Sequence, residues 1–204
     1  MATKPSWLNI TPNQGSGNGS IENSASAHTG RVARTGTVTV TGVGVSAPQT
    51  YKVTQSPKSE FVSFDDGAEA SAPKDGGNVT LQGKSNSKKL TFSWVGSVDD
   101  VTIPENYQAN GSSTANGENI ANDPGATAEY AFSIQLNFPE NDDVEEVTRT
   151  LKVTAEGGQT AQIAINQAAG DATLQLSESE ITLPQAGTPA VSVNVTSNTT
   201  WTVS

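Results

Sequence analysis

His28 is the single histidine of the chain and its most obvious candidate for acid–base chemistry. It lies in a polar stretch of Ser, Ala and Thr, with no paired Asp and no evident nucleophile nearby. A catalytic base needs both a proton to abstract and a partner that orients it. The sequence also has no GxSxG, HExxH, P-loop or Rossmann motif. We therefore predict that His28 is a solvated loop residue, that no residue is catalytic, and that the protein is not an enzyme.

The carboxylates form three clusters, namely Asp65-Asp66, Asp99-Asp100 and the run from Glu140 to Glu146. Calcium is bound by several convergent oxygens, some of which Asp142, Asp143 and Glu145 could supply. Adjacent acids on a strand point to opposite faces, however, and no cluster has the spacing of an EF-hand. Nothing in the sequence supports a glycosidase-like carboxylate pair. We interpret the run as a solvated hairpin loop and predict no metal site and no cofactor.

The aromatic residues could stack on a sugar or fill a core. Trp7, Trp94 and Trp201 each lie in an alternating stretch where a lean β-sandwich needs a large buried side chain. We therefore interpret all three as core residues. Tyr107, at the polar insertion of the chain, is the candidate exposed aromatic and the candidate ligand contact.

These residues must be positioned by strands, because period-two patterns recur along the whole chain. The runs are Thr37–Thr41, Tyr51–Thr54, Leu90–Trp94, Tyr130–Phe138, Leu151–Val153, Gln162–Ile165 and Val191–Val195. They are rich in β-branched and aromatic residues and are bounded by Gly, Pro and Asn, which is typical of strands. No stretch predicts a helix. Short strands at close spacing indicate an all-β protein of antiparallel sandwich modules.

Composition and charge limit the classes of molecule that the protein is expected to bind. The chain has 204 residues, a formal net charge of −10 and no cysteine. An acidic surface repels nucleic acid and anionic membranes, so we expect neither as a partner. The missing thiols exclude disulfides and zinc–thiolate sites. No stretch near the N-terminus resembles a signal peptide and none approaches ~18 apolar residues, so we expect cytosolic synthesis without standard secretion.

The chain repeats itself. Arg34-Thr35 and Val53-Thr54-Gln55 recur as Arg149-Thr150 and Ile165-Asn166-Gln167, which predicts two closing hairpins that end in Gln. A second repeat covers the first half of a module: Phe61–Phe64, Gly76–Leu81, Ser85-Asn86 and Leu90 recur as Leu174–Leu176, Gly187–Val193, Ser197-Asn198 and Trp201. These matches predict one complete module at residues 58–170. Residues 1–57 form the second half of a module, and residues 171–204 form the first half of another.

These motifs resemble BACON domains, which are immunoglobulin-like modules of gut bacterial proteins and of their phages. The matching elements are Ser197-Asn198-Thr199-Thr200-Trp201, Pro5-Ser6-Trp7-Leu8, Gly15-Ser16-Gly17-Asn18, Arg34-Thr35 and Val53-Thr54-Gln55. The resemblance implies tandem immunoglobulin-like sandwich modules, with roles as modular spacers, phage structural proteins or carbohydrate binders. The central module departs from the pattern by having Leu90 at the first Trp position and a polar insertion from Asn110 to Thr127.

Residues 171–204 followed by residues 1–57 would give one whole module, whereas each half alone would expose unpaired strand edges. The halves could pair between chains, pair within one chain, or belong to a longer chain that completes them. The expected core of this split module is Trp7, Leu8, Ile10, Val38, Val40, Val53, Leu174, Leu176, Val191, Val193, Val195 and Trp201. Pairing between chains would be head-to-tail and would give rings or filaments.

These features together predict a structural protein of a phage virion, either a capsid decoration protein or a fibre protein. Its expected partners are other copies of itself and a capsid or other virion protein, and its expected location is the virion after synthesis in the host cytoplasm. The alternative is a carbohydrate- or mucin-binding adhesion module of a bacterial surface protein. It would bind host-surface glycans and would carry a secretion signal in the complete gene.

Overall fold

A computed structural model describes residues 4–125, 127–187 and 189–204. Met1 to Thr3, Ala126 and Thr188 lie outside the described residues, so the start of the predicted 1–57 half and one position of the predicted insertion do as well. The described chain consists of strands and contains no helix. The strands are β1 (Leu8–Thr11), β2 (Glu22–Ala25), β3 (Arg34–Val40), β4 (Gln49–Gln55), β5 (Val62–Phe64), β6 (Glu69–Ala72), β7 (Gly77–Ser85), β8 (Leu90–Trp94), β9 (Asn106–Ala109), β10 (Ser112–Ala115), β11 (Tyr130–Phe138), β12 (Val147–Ala155), β13 (Thr160–Gln167), β14 (Leu174–Leu176) and β15 (Val195–Ser197).

Residues 58–170 contain two facing sheets, which we call the central sandwich. One sheet has the order β10-β9-β11-β7-β5 and the other has the order β6-β13-β12-β8. Every pairing is antiparallel except that of β13 with β6, which is parallel. Alternation in β11 directs five large side chains inward, because successive residues of a strand face opposite sides. The prediction of an all-β, antiparallel sandwich fold is confirmed.

The core between these sheets is built from aliphatic side chains around a small aromatic cluster. Phe132 lies edge-on to Phe64 and to Phe92, with ring centroids 5.9 and 5.7 Å apart. Phe92 lies edge-on to Tyr107 at 5.0 Å. Trp94 packs against the margin of this core and donates from Nε1 to the Val101 carbonyl at 2.8 Å. Trp94 is therefore a partly buried core residue, as predicted.

The flanking segments, residues 4–57 and 171–204, form only hairpins. β1 pairs with β2, β3 pairs with β4, and β14 pairs with β15, each as a two-stranded sheet. In the described residues, no strand of either segment is hydrogen-bonded to a strand of another region. Leu8 and Val38 are the two large apolar side chains that the N-terminal segment buries.

One predicted strand needs correction, and the polar insertion contains a strand that was not predicted. Of the predicted strand Val191–Val195, only Val195 lies in a strand, because residues 191–194 have no neighbouring strand to pair with. The polar insertion is also not a simple loop. Its first residues, Asn110 and Gly111, adopt positive φ angles of 48° and 76° and turn the chain into β10, which pairs back on β9.

Candidate assembly surfaces at the two ends of the sandwich

Asn86 is fully buried where the N-terminal segment meets the central sandwich. Its Oδ1 accepts the Phe61 N–H at 2.9 Å, and its Nδ2 donates to the carbonyls of Ser59 and Thr29, each at 3.2 Å. The Ser85 hydroxyl donates to the Phe61 carbonyl at 2.7 Å. One asparagine therefore ties together the preceding segment, the linker and the first strand of the sandwich. We call this cluster the first joint.

The same arrangement recurs 112 residues later, where the central sandwich meets the C-terminal segment. Asn198 Oδ1 accepts the Thr173 N–H at 2.8 Å, and Asn198 Nδ2 donates to the Asp171 and Asp142 carbonyls at 2.9 and 2.8 Å. The Ser197 hydroxyl donates to the Thr173 carbonyl at 2.8 Å. We call this cluster the second joint. Its bonds match those of the first joint one for one, so the two Ser-Asn pairs occupy equivalent positions.

His28 belongs to the first joint and is buried, so the prediction of a solvated histidine is wrong. Its Nε2 lies 2.8 Å from the Val32 carbonyl, which can only accept, so Nε2 carries the proton and Nδ1 faces the Gly30 N–H at 3.5 Å. Asn141 does the same in the second joint, donating to the Glu145 carbonyl four residues on. The histidine stabilises its turn in the same way as Asn141, since each side chain contacts the backbone N–H two residues on and the carbonyl four residues on.

Each joint also contains one backbone bond between the equivalent positions and at least one ion pair. Lys58 N–H donates to the Gly30 carbonyl at 2.9 Å, and Gly170 N–H donates to the Asp143 carbonyl at 2.7 Å in the equivalent place. The ion pairs differ: the first joint pairs Arg31 with Asp123, whereas the second pairs Lys74 with Asp171. The hydrogen bond that Lys74 Nζ donates to the Asp171 carboxylate raises the pKa of Lys74. The backbone frame is thus common to both joints, and the surface charges are not.

The two joints lie at opposite ends of the central sandwich. The first joint follows the C-terminal end of β7, and the second joint contacts the chain just before β7 begins. The nine residues of β7 span roughly 26 Å at ~3.3 Å per residue. The N-terminal and C-terminal segments of one molecule therefore face away from each other across the length of the sandwich.

The C-terminal segment has an open apolar groove. Its apolar lining is formed by Leu176, Ile181, Val193, Val195, Trp201 and Val203, and the groove encloses about 390 Å³. Leu176 is 59% exposed, whereas Phe64, its equivalent in the central sandwich, is 7% exposed. The predicted core residues Leu174, Leu176, Val191 and Trp201 are therefore exposed in the single chain, because no second sheet covers them. Glu178 and Glu180 lie beside the same groove.

The N-terminal segment has the complementary deficiency. The pairing of β3 with β4 matches that of β12 with β13, so Val38 is equivalent to Leu151 and Val40 to Val153. Val153 is fully buried, whereas Val40 is 41% exposed. The other predicted core residues of this segment, Trp7, Ile10 and Val53, are half-buried. The outer edge of β3, which in β12 is covered by β8, has no strand beside it in the described chain.

The arginines of the repeated Arg-Thr motif differ in register by two residues. Arg34 lies opposite Gln55, whereas Arg149 lies two residues further along its strand, at the position equivalent to Gly36. Both nevertheless donate to the glutamine that ends the partner strand: Arg34 Nε and Arg149 Nη1 each lie 2.9 Å from its Oε1. The Arg34 guanidinium also lies 4.7 Å from the Trp7 ring centroid. The sequence alignment of the two motifs was therefore wrong by two residues.

Tyr107, the candidate exposed aromatic, is 2% exposed and belongs to the core, so that prediction is wrong. It lies on β9, where alternation turns it toward Phe92. Its hydroxyl makes no full hydrogen bond within the described residues, and only a weak backbone interaction with Leu90 opposes the effect of burial. Burial raises the pKa of Tyr107 to about 12. Sequence spacing alone could not reveal this, because the polar residues that follow β9 form a second hairpin strand.

The carboxylate clusters do not converge on a common point. Across the part of the chain that the structure describes, no group of three or more His, Asp or Glu side chains is placed to hold a metal ion. Asp100 pairs with Arg149, and the hydrogen bond from this arginine lowers the pKa of Asp100. Asn141, inside the Glu140–Glu146 run, is buried and holds the second joint through the Glu145 and Ala168 carbonyls. That run is thus part of a structural turn as well as a surface loop.

The functional residues that sequence reasoning missed are the joint asparagines, Asn86, Asn141 and Asn198. The signal for two of them was present, because Ser-Asn recurs at a spacing of 112 residues. The role of Asn141 could not be found in this way, since its equivalent is a histidine. Residues 4–125, 127–187 and 189–204 include no helix that is long and apolar enough to cross a membrane.

Comparison with known proteins finds similarity to solved structures. No protein-family model matches the sequence, and no curated protein matches it. Among solved structures, the chain is similar to an endo-fucoidan hydrolase, MfFcnA4, from glycoside hydrolase family 107, with a TM-score of 0.32 and 15% sequence identity. The match covers 83% of this chain and 23% of the hydrolase, so the chain spans about a quarter of that protein's length. A likeness of this extent carries no information on activity.

Proposed function

We propose that this protein is a structural component of a phage virion, a capsid decoration or fibre protein, that assembles by completing sandwich modules between subunits. The observation that carries the proposal is the complementary content of the flanking segments. The C-terminal segment has equivalents of β5 and β7, and the N-terminal segment has equivalents of β12 and β13. Each segment lacks what the other contains.

The apolar groove supports assembly as the working principle. Isolated apolar side chains are common on protein surfaces, but a contiguous groove lined by six of them marks a binding surface. Burying a Val, Leu or Ile side chain that is now about half exposed contributes about 1 kcal/mol. The unpaired edges of β3 and β14 add backbone donors and acceptors that a neighbouring strand can satisfy.

The virion assignment rests on the sequence. The resemblance to BACON domains implies structural proteins of phages among the possible roles, and the absence of cysteine is compatible with assembly in a reducing cytoplasm. A net charge of −10 keeps a self-associating β protein soluble until it meets its shell. The glycan-binding alternative has lost its candidate contact, because Tyr107 is buried. We therefore favour assembly over glycan recognition.

The assembly proposal is tested by the size of the purified protein as a function of concentration. Sedimentation velocity from 1 to 200 µM (about the usual range for weak to moderate association) should show growth beyond the 21.0 kDa monomer. Leu176→Lys should prevent this growth by placing a charge in the groove. Gln175→Lys is the matched control, because the adjacent residue of the strand points to the opposite face. A monomer at all concentrations would contradict the proposal.

The virion assignment needs a separate test. Mass spectrometry of purified phage particles should detect this chain in a fixed ratio to the major shell protein. Labelled protein should also bind to particles from which it has been stripped. Its absence from particles, together with retention on a mucin or glycan column, would favour the adhesion alternative.

A further inference from the structure

We propose that the groove of the C-terminal segment is filled by the N-terminal segment of a second copy, in the same strand register that the central sandwich uses internally. This inference rests on the proposed function and deepens it by specifying the partner and the register. The central sandwich serves as the template, because it contains both halves of a module joined in one chain. Each contact missing from a flanking segment can therefore be read from its central equivalent.

The first missing contact is an acceptor for Gln55. In the central sandwich, Gln167 Nε2 donates to the Pro139 carbonyl at 2.7 Å and to the Pro73 carbonyl at 3.2 Å. Its equivalent, Gln55 Nε2, donates to the Ser26 carbonyl at 2.8 Å and reaches no second carbonyl within the described residues. The first half of a module supplies the absent acceptor, so it must come from the neighbouring molecule.

Pro184 is the residue that supplies this acceptor. The Pro73 carbonyl accepts the N–H of Gly76 at 3.1 Å, and the Pro184 carbonyl accepts the N–H of Gly187 at 3.4 Å. Both prolines therefore begin the same turn, three residues before a glycine with positive φ. In the assembly, Gln55 Nε2 of one copy therefore donates its second hydrogen bond to the Pro184 carbonyl of another.

The second missing contact is a parallel strand beside β4. In the central sandwich, β13 pairs with β6 so that Gln167 is opposite Ala72 and Ala164 is opposite Glu69. Transferring this register places Leu183 opposite Gln55 and Glu180 opposite Lys52. The second pair brings an acidic and a basic side chain directly together across two chains, which stabilises a sheet.

The third missing contact is an antiparallel strand beside β3. Phe92 on β8 is opposite Val153 on β12, and Val153 is equivalent to Val40. Trp201 and Val203 both line the groove, as Leu90 and Phe92 line the core. Val203 is therefore the counterpart of Phe92 and lies opposite Val40 of the second copy.

Charge favours this occupant. Residues 1–57 contain four basic residues and one acidic residue, whereas residues 171–204 contain three acidic residues and no lysine or arginine. The two segments therefore carry net charges of +3 and −3 within a chain whose net charge is −10. Opposite charges on mating surfaces accelerate encounter and exclude like-charged alternatives. The negative central sandwich is a poor occupant by the same criterion.

The occupant belongs to another molecule because of the position of the joints. They hold the two segments at opposite ends of β7, roughly 26 Å apart. A contact between unlike surfaces of identical chains is heterologous, so each added copy offers a further unfilled surface until the chain of copies closes on itself. The product is therefore a head-to-tail filament or a closed ring.

A cysteine pair tests the register. The natural chain has no cysteine, so Val40→Cys with Val203→Cys introduces the only two thiols. Under mild oxidation this variant should form a ladder of covalent dimers, trimers and longer species on a non-reducing gel. The matched control is Val40→Cys with Thr202→Cys, whose second thiol points away from the groove. Crosslinking at least tenfold weaker is expected for the control.

A charge reversal tests the same register without oxidation. Lys52→Glu and Glu180→Lys should each raise the dissociation constant of self-association about tenfold, because each places like charges opposite one another. The double variant should recover most of the loss. Two additive losses without recovery would overturn the pairing of these residues.

The outcomes separate this inference from the function it rests on. Oligomers that form without the Val40–Val203 crosslink overturn the register and leave assembly intact. A monomer at all concentrations overturns both. A Val40–Val203 crosslink that forms only within single molecules would contradict the proposal that a second copy fills the groove. Native particles in which residues that follow Ser204 fill the groove would contradict it as well.

Discussion

The central strand β7 and its counterpart at residues 189–197 show how much of this fold depends on the neighbouring strand. β7 is nine residues long and is flanked by β5 and β11. Its counterpart has valines at alternate positions, Val191, Val193 and Val195, but forms only the three-residue strand β15, which pairs with β14 alone. Both hairpins share three paired positions, so the two strands differ in the residues beyond β5, where β7 is paired with β11 alone. β-Propensity is expressed here only where a partner is present.

The same comparison holds for side-chain burial. Leu176 and Val40 are exposed in the flanking segments, whereas their equivalents Phe64 and Val153 are buried in the complete sandwich. The local sequence therefore determines where strands form, whereas burial of their side chains requires the second sheet of a complete module. The following substitutions compare one module position in its complete and incomplete states, from the largest expected effect to the smallest.

The largest difference is expected for Leu151→Ala and its equivalent Val38→Ala. Leu151 is fully buried between complete sheets, so its truncation leaves a cavity and should lower the free energy of unfolding by about 3 kcal/mol. Val38 is buried in a segment with only one side of its core, and its truncation should lower the stability of the central sandwich by less than about 0.5 kcal/mol. Urea unfolding measures both when it is followed by tryptophan fluorescence in a Trp7→Phe, Trp201→Phe background, which leaves Trp94 as the reporter. Equal effects would show that the segment folds as one unit with the sandwich.

High pH should destabilise the central sandwich through Tyr107. Because burial raises the pKa of Tyr107 to about 12 from 10.0, the folded state holds the proton more tightly than the unfolded state. The stability contributed by this group is complete below pH 10 and is lost as the pH rises toward 12, by about 2 kcal/mol. Urea midpoints at pH 9 to 12 measure the loss.

Tyr107→Phe is the control for this titration. The substitution removes the hydroxyl that has no full hydrogen bond in the described structure, so stability at pH 7 should be unchanged or higher. The alkaline loss should shrink in the same variant. An unchanged alkaline profile would assign the loss to other groups, beginning with Tyr130, whose pKa burial also raises.

The joints allow a direct comparison of equivalent asparagines. Asn86→Ala leaves the Phe61 N–H without its acceptor in a buried site and should cost about 2 kcal/mol. Asn198→Ala should cost less than about 1 kcal/mol in the monomer, because its site is open to water. Thermal unfolding at low protein concentration gives both values. A larger effect at Asn198 would mean that the second joint is the stronger one.

The smallest effect is expected at His28. His28→Asn should change stability by less than about 0.5 kcal/mol, since Asn141 makes the same two bonds in the second joint. His28→Ala should cost about 1 kcal/mol by leaving the Val32 carbonyl without its donor. Hydrogen exchange at residues 28–32 is the readout. Equal losses in both variants would show that the imidazole itself is required.

The sequence predicted the strands well where a complete module exists. Leu90–Trp94 and Tyr130–Phe138 were predicted with the boundaries that β8 and β11 have, because alternation and flanking turns are local signals. The burial of individual side chains was harder to predict from the sequence. Tyr107 was assigned to the surface from its polar neighbours, yet its exposure is decided by β11 and Phe92, which are distant in sequence. His28 was misassigned for the same reason, since its partner carbonyl is positioned by a turn.

The sequence predicted that the two flanking segments are complementary, but it did not predict which residues of the two segments lie opposite each other. The repeated motifs indicated which halves are complementary, but the two-residue error at Arg149 shows that motifs do not fix register. The strand register follows from the backbone pairing, which places Arg34 opposite Gln55 in β3–β4 and Arg149 opposite Ile165 in β12–β13. The Gln55 and Pro184 assignment was likewise beyond sequence reasoning, because it depends on a carbonyl bond in the central sandwich.

The duplicated joint has a geometric consequence. We expect the equivalent sets of bonds at Asn86 and Asn198 to set the same rotation and the same rise between successive modules. In a head-to-tail polymer, every boundary between complete modules would then be one such step, and the whole fibre would follow a single screw axis with two steps per subunit. Its strongest axial periodicity in averaged electron micrographs should therefore be the length of one module. The subunit length should appear only as a weaker repeat at twice that spacing.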